Sequence, residues 1–235
     1  MKIEVLENDA AVAERAASII AEAAREDAAA RGRFALAVSG GRTPWAMLGL
    51  LAAKQVPWAS VHVFQVDERV APSGDPDRNL THLEASFLAH APLQREQVHP
   101  MPVEISDLAT AAESYSAALR ELCGTPPVLD LVHLGLGPDG HTASLVPSDP
   151  VLEVADRFVS VTGVYQGHRR MTLTYPALDH ARRVLWVVTG KDKAQALVRL
   201  SSGDRSIPAG CVRQGDACVI ADRAAASRMA REAKP

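Results

Sequence analysis

The chain has 235 residues, 47% of them hydrophobic, and a formal net charge of −3. That length and hydrophobic content suffice to bury a substantial core, as one large α/β domain or two small ones. The near-neutral charge and the lack of any block of five or more basic residues argue against nucleic acid or an anionic membrane as the main partner, and point to a small molecule.

In chain order, KIEVL predicts a short strand. DAAVAERAASIIAEAAREDAAARG then predicts an Ala-rich helix capped by Asp9 and stopped at Gly32. FALAV predicts a strand, and PWAMLGLLAA a helix with Pro44 in its first turn, where a missing N–H costs little. VHVFQV is a further strand, followed by a polar loop and a helix around NLTHLEASFL. LATAAESYSAALREL predicts a helix and LDLVHLGL a buried strand. Later strands are predicted at RFVSVTG, RMTLTY, RRVLWVVTG and DACVIAD, with helices at KDKAQALVRL and RAAASRMAREA. Such alternation predicts an α/β fold: one domain over residues 1–235, with a mainly parallel sheet and helices on both faces.

Glu4, Glu7 and Asp9 fall where a signal peptide needs an apolar core, and no apolar run approaches a membrane span. The three cysteines, Cys123, Cys211 and Cys218, are odd in number and include no C-x-x-C pair. They read as free thiols rather than a disulfide frame or a zinc site. The expectation is a soluble cytoplasmic protein.

In an open α/β sheet, ligands bind beyond the carboxyl ends of the strands. Four such ends carry unusual residues. In AVSGGRTPW, the residues Ser39, Gly40, Gly41, Arg42 and Thr43 join a strand to a helix. Glycines and a helix N-terminus there suit an anion such as a sugar phosphate, and fit equally an ordinary tight turn. The loop matches neither the nucleoside-triphosphate pattern nor a nucleophile elbow. In FQVDERVAP, the triplet Asp67-Glu68-Arg69 follows a strand and precedes a loop. Arg69 there could pair with a carboxylate or with negative charge developing on oxygen.

The third end is LGLGPDGHTASLVPSDP. Gly135, Gly137 and Gly140 match a dinucleotide-binding spacing, with Asp156 about twenty residues from the first glycines. Pro147 and Pro150 follow too closely for the crossover helix such a site requires, so the dinucleotide reading fails. What remains is Asp139 beside His141, a loop histidine able to act as a general base with a carboxylate to orient it, or else a surface histidine. His133 lies within the strand and reads as a core residue; a metal site built from His133, Asp139 and His141 lacks ligand spacing. At the fourth end, Arg170 begins a strand and Lys193 sits in a first helical turn, where a cation opposes the helix dipole. Both suit an anion, and both also fit solvated surface cations.

Taken together, LAVSGGRTP, VDERVAP, LGLGPDGHTASLVP, RMTLTYPAL, VVTGKDKAQAL and PAGCV resemble the 6-phosphogluconolactonase family in order and spacing over most of the chain. The resemblance implies a modified Rossmann-like α/β fold shared with glucosamine-6-phosphate deaminases. It implies hydrolysis of 6-phospho-D-glucono-1,5-lactone to 6-phosphogluconate in the oxidative pentose phosphate pathway, with no metal and no organic cofactor. It places His141 on the general base, with Asp139, Arg69 and Asp67 as its catalytic companions. Ser39, Gly40, Gly41, Arg42, Thr43, Arg170 and Lys193 fall on positions associated with substrate and its phosphate. Two residues depart from the family pattern: Arg42, where serine or threonine is usual, and Arg78, where a serine usually precedes Asn79. The alternatives are a glucosamine-6-phosphate deaminase or isomerase, and a sugar-phosphate sensor without catalysis. Deaminases resemble GxGxDGHIAFNEP, with a glutamate seven positions after the aspartate, and tend to carry Asp-Glu-Tyr. Here Val146 and Asp67-Glu68-Arg69 stand in those places, and no DNA-binding segment is appended.

Overall fold

The computed structural model describes residues 1–229. Its centre is a seven-stranded sheet with every pairing parallel, in the order β1-β10-β9-β6-β2-β3-β5. These strands are β1 (Lys2–Leu6), β2 (Phe34–Val38), β3 (Val61–Gln65), β5 (Val98–His99), β6 (Leu131–Leu134), β9 (Arg183–Val188) and β10 (Ala217–Asp222). A second, antiparallel sheet joins β4 (Asp67–Arg69), β8 (Arg170–Leu173) and β7 (Val159–Val161) in the order β4-β8-β7. The expected α/β fold is observed, with this small sheet added to it.

Strands β2 and β6 are buried along their whole length, as expected of the middle of a parallel sheet covered on both faces. One face packs Leu36, Val63 and Ile220 against α1 (Asp9–Arg31) and α2 (Arg42–Ala52). The other packs Ala37, Phe64, Val132 and Trp186 against α4 (Leu108–Cys123), α6 (Ala194–Ser201) and the small sheet. The shorter helices are α3 (Asn79–Leu83), α5 (Tyr175–Asp179) and α7 (Pro208–Cys211).

Several local expectations are corrected. Asn8, not Asp9, caps α1, its side chain accepting the Ala11 amide, while Gly32 ends the helix at φ 74° as read. The helix around NLTHLEASFL is a short α-helix running into a π-helical turn, Glu84–Leu88, closed by the Ala89 amide on the Glu84 carbonyl. Lys193 lies in a 3₁₀ turn, Lys191–Lys193, just ahead of α6 rather than inside its first turn. The triplet Asp67-Glu68-Arg69, expected only as the stretch between a strand and a loop, is a strand of its own. Of the last predicted helix, Ala225–Arg228 forms a 3₁₀ turn; the part beyond Met229 lies outside the described residues.

Candidate active site

The carboxyl ends of β2, β6, β9 and β10 open on a cleft of about 670 Å³, and the small sheet stands beside them. Ser39, Gly40, Gly41, Arg42, Thr43, Asp67, Arg69, His141, Arg170 and Lys193 all line it. Residues that the sequence places on separate strand ends therefore share one cavity. Asp139 stands behind His141, and Glu68 and Arg78 do not reach the cleft.

The loop after β2 is fixed from below. The Ser39 amide donates to His133 Nδ1 at 3.2 Å, and the Ser39 hydroxyl to the His133 carbonyl at 3.1 Å. Burial pushes the His133 imidazole down to about 3, so it serves this loop as a neutral acceptor. A Cβ at Gly40 would lie 2.2 Å from the Asn79 side-chain oxygen, so a side chain there would displace Asn79. Gly41 takes φ 128° to launch α2. Across the cleft, Thr43 and Thr189 share a hydrogen bond of 2.7 Å, and Lys193 Nζ lies 3.1 Å from Asp192 Oδ2.

Strands β4 and β8 form one wall. Arg69 and Arg170 are register partners, placing two cations opposite each other, an arrangement that costs stability unless an anion lies between them. Arg69 donates to the Asp77 carbonyl. Arg170 is only 4% exposed, and its Nε has no hydrogen-bond partner. Burial lowers this guanidinium from its ordinary value, with Asp67 opposing. Asp67 accepts from the Ser144 hydroxyl at 2.6 Å. Burial raises its carboxyl above the usual range, against that hydrogen bond and Arg170.

Glu68 and Arg78 work beneath the wall. Glu68 is fully buried and accepts the backbone amides of Asn79 and Leu80, each at 2.8 Å, holding the first turn of α3. Arg78 is buried with it, its Nε 3.6 Å from Glu68 Oε2 and its Nη1 paired with Glu104. The departure at Arg78 thus concerns packing rather than anion binding. Arg42 is exposed at the rim.

The turn after β6 carries the titratable pair. Its amide and carbonyl bonds close on themselves, Gly137 N–H to the His141 carbonyl at 2.8 Å and Gly140 N–H to the Gly137 carbonyl at 3.0 Å. Asp139 Oδ1 accepts both the His141 amide, at 3.1 Å, and Nδ1 of its ring, at 2.6 Å. Burial works against the Asp139 charge, yet the His141 amide and ring outweigh it and hold the carboxyl below its ordinary value. With Nδ1–H committed to the carboxylate, Nε2 is the nitrogen left to accept a proton.

Four further residues at the site carry no assigned role in the sequence reading. Asn79 reaches the Asp67 carbonyl at 3.0 Å, and Trp45 lines the cleft from the first turns of α2. Asp222 ends β10 and accepts the Gly190 amide at 3.1 Å; its position at a fifth strand end is the signal that could have found it. Tyr165 touches Asp139 from a hairpin loop that carries no recognisable pattern.

Residues 7–221 match a family model described as glucosamine-6-phosphate isomerases/6-phosphogluconolactonase. A 6-phosphogluconolactonase of Nostoc sp. is 34% identical over 235 residues, covering 97% of this chain and 98% of that protein. The crystal structure of 6-phosphogluconolactonase from Thermotoga maritima superposes with a TM-score of 0.84 at 27% identity, over 94% of this chain and 98% of the other. A monomeric glucosamine-6-phosphate deaminase superposes as well, with a TM-score of 0.85 at 20% identity over 97% and 99% of the two chains. Fold alone therefore does not separate the two activities.

Proposed function

We infer that this chain, a member of the glucosamine-6-phosphate isomerase/6-phosphogluconolactonase family, is the lactonase of the pair. It hydrolyses 6-phospho-D-glucono-1,5-lactone to 6-phosphogluconate. The observation that carries our account of the chemistry is the His141–Asp139 pair at the cleft, Nδ1 bound to the carboxylate and Nε2 left free.

A lactone is an activated ester, so water can attack C1 without a covalent enzyme intermediate. His141 Nε2 takes the proton from that water, and Asp139 holds the ring in the required tautomer and balances the imidazolium that forms. Arg69 faces the oxygen on which negative charge develops. The protonated His141 then returns its proton to the departing ring oxygen, which opens the lactone. Asp67 is anchored by the buried Ser144 hydroxyl and accepts from the Asn79 side chain, which lines the cleft beside it. The phosphate is taken by the Ser39–Thr43 loop, Lys193 and Arg170, and its binding fixes C1 beside the attacking water. We place the reaction in the cytoplasm, where a reducing environment suits three free thiols. Among the described residues no helix is long and apolar enough to cross a membrane.

The deaminase alternative needs a proton removed from one carbon and delivered to its neighbour. Val146, where deaminases resemble one another in a glutamate, is buried and has no proton to move. His141→Ala tests the base directly. Loss of a general base costs on the order of 10²–10⁴ in rate, so kcat should fall by that factor after subtraction of spontaneous hydrolysis, in a protein that melts like wild type. Turnover near the wild-type rate would remove His141 from the mechanism.

A further inference from the structure

Strand β7 returns to β8 through a hairpin whose tip, residues 163–169, lies against the catalytic pair. The tip is built to hold its shape. Tyr165 and His168 exchange backbone hydrogen bonds of 2.9 and 3.3 Å. Between them Gln166 and Gly167 take φ values of 50° and 86°, as a tight two-residue turn demands. Both flanks are tied to other loops: the Gly163 amide donates to Asp149 Oδ2 at 2.9 Å, and His168 Nε2 lies 3.0 Å from Asp77 Oδ2.

This frame presents the Tyr165 side chain to three groups of the site. Its hydroxyl donates to Asp139 Oδ2 at 3.3 Å, the carboxylate oxygen that His141 does not use. Its ring stands edge-on to the His141 imidazole, centroids 5.6 Å apart at 66°. Its face carries the Arg170 guanidinium, 5.0 Å from the ring centroid, and Gln166 Oε1 accepts from Arg170 Nη2 at 3.3 Å. Burial and the neighbouring Asp139 raise the phenol above its ordinary value, so it remains a donor.

We propose that Tyr165 is a positioning residue for the reaction, fixing the Asp139 carboxylate from behind and seating Arg170, so that the base and the cationic wall keep one geometry. An Asp139 held only through Oδ1 is free to turn about its terminal bond and to offer His141 a poorly aligned acceptor. A donor on Oδ2 removes that freedom. The cation–π contact does the same for Arg170, whose buried Nε has no hydrogen-bond partner in the protein to fix it. Supporting groups of this kind set how tightly reacting groups are held, and misplacement of reacting groups is costly in rate.

The proposal rests on the assignment of His141 as base, and two variants of Tyr165 assayed beside His141→Ala keep the two apart. Tyr165→Phe keeps the ring and loses the hydroxyl; kcat should fall about tenfold, the scale of one hydrogen bond to a charged group, with KM within about twofold. Tyr165→Ala also unseats Arg170, so KM for the phosphorylated lactone should rise further, by about tenfold, while KM for unphosphorylated gluconolactone changes little. A purely structural role would instead lower kcat alike for both variants and shift the melting temperature. An inactive His141→Ala with a Tyr165→Phe enzyme that turns over like wild type overturns the role of Tyr165 alone. An active His141→Ala overturns both assignments.

Discussion

Gly137 shows what the glycines of LGLGPDGHT do. A Cβ at this position would lie 2.0 Å from His141 Nδ1 and 2.6 Å from Asp139 Oδ1, so the main chain passes directly against the pair proposed as catalytic. Gly140 takes φ 84° and packs against Ile207, which a Cβ would meet at 2.5 Å. The spacing that imitates a dinucleotide-binding turn thus serves the aspartate and histidine it surrounds. Gly137→Ala should displace the His141 ring and lower kcat on the order of 10²-fold, with little change in melting temperature because the ring can swing towards the cleft. Wild-type turnover in that variant would mean the pair tolerates displacement and is not held for chemistry. Asp139 and His141 were legible because they adjoin in sequence at a strand end. Tyr165 was not, because its contact with Asp139 spans 26 residues and depends on where a hairpin tip comes to rest.

At the scale of elements, alternating apolar strands and amphipathic helices made the seven-stranded sheet readable, since both faces of a parallel sheet must be covered. Strand β4 escaped that reading. Three polar residues show no apolar alternation, and their strand character comes from pairing with β8, a hundred residues away in the chain. The pairing explains why an arginine at each site matters: β4 and β8 bring Arg69 and Arg170 face to face. The same element sets the start of α3, through the Glu68 carboxylate on the Asn79 and Leu80 amides. Arg78 is the cation buried beside that carboxylate. Arg78→Ala should destabilise the protein by about 3 kcal/mol, because a buried carboxylate loses its counter-charge, while kcat/KM at a permissive temperature stays within a few-fold of wild type. Urea unfolding measures the first quantity. An unchanged midpoint would show that the amide contacts alone satisfy Glu68.

Across the whole molecule, three histidines tie stability to pH. Burial lowers His62, pushes His99 down to about 4 and His133 to about 3. His62 and His99 lie 3.2 Å apart on β3 and the edge strand β5, with Arg33 adding to the effect at His62 and His62 adding to it at His99, and His133 lies under the Ser39 loop. Their folded values lie below the unfolded value near 6.5, so the unfolded chain binds more protons as pH falls through that value. Stability from these groups is therefore intact above about pH 6.5 and declines towards pH 4. The melting temperature should drop between pH 7 and pH 5, less steeply in His99→Phe than in wild type; a flat profile would contradict the burial of these rings as neutral groups. The most direct test of the functional account is the hydrolysis of freshly generated 6-phosphogluconolactone, followed against its spontaneous rate, with ammonia release from glucosamine 6-phosphate measured in the same preparation. The account predicts enzyme-dependent lactone opening and no detectable ammonia. Ammonia release at a rate comparable with lactone opening, or lactone opening no faster than in buffer, would contradict it.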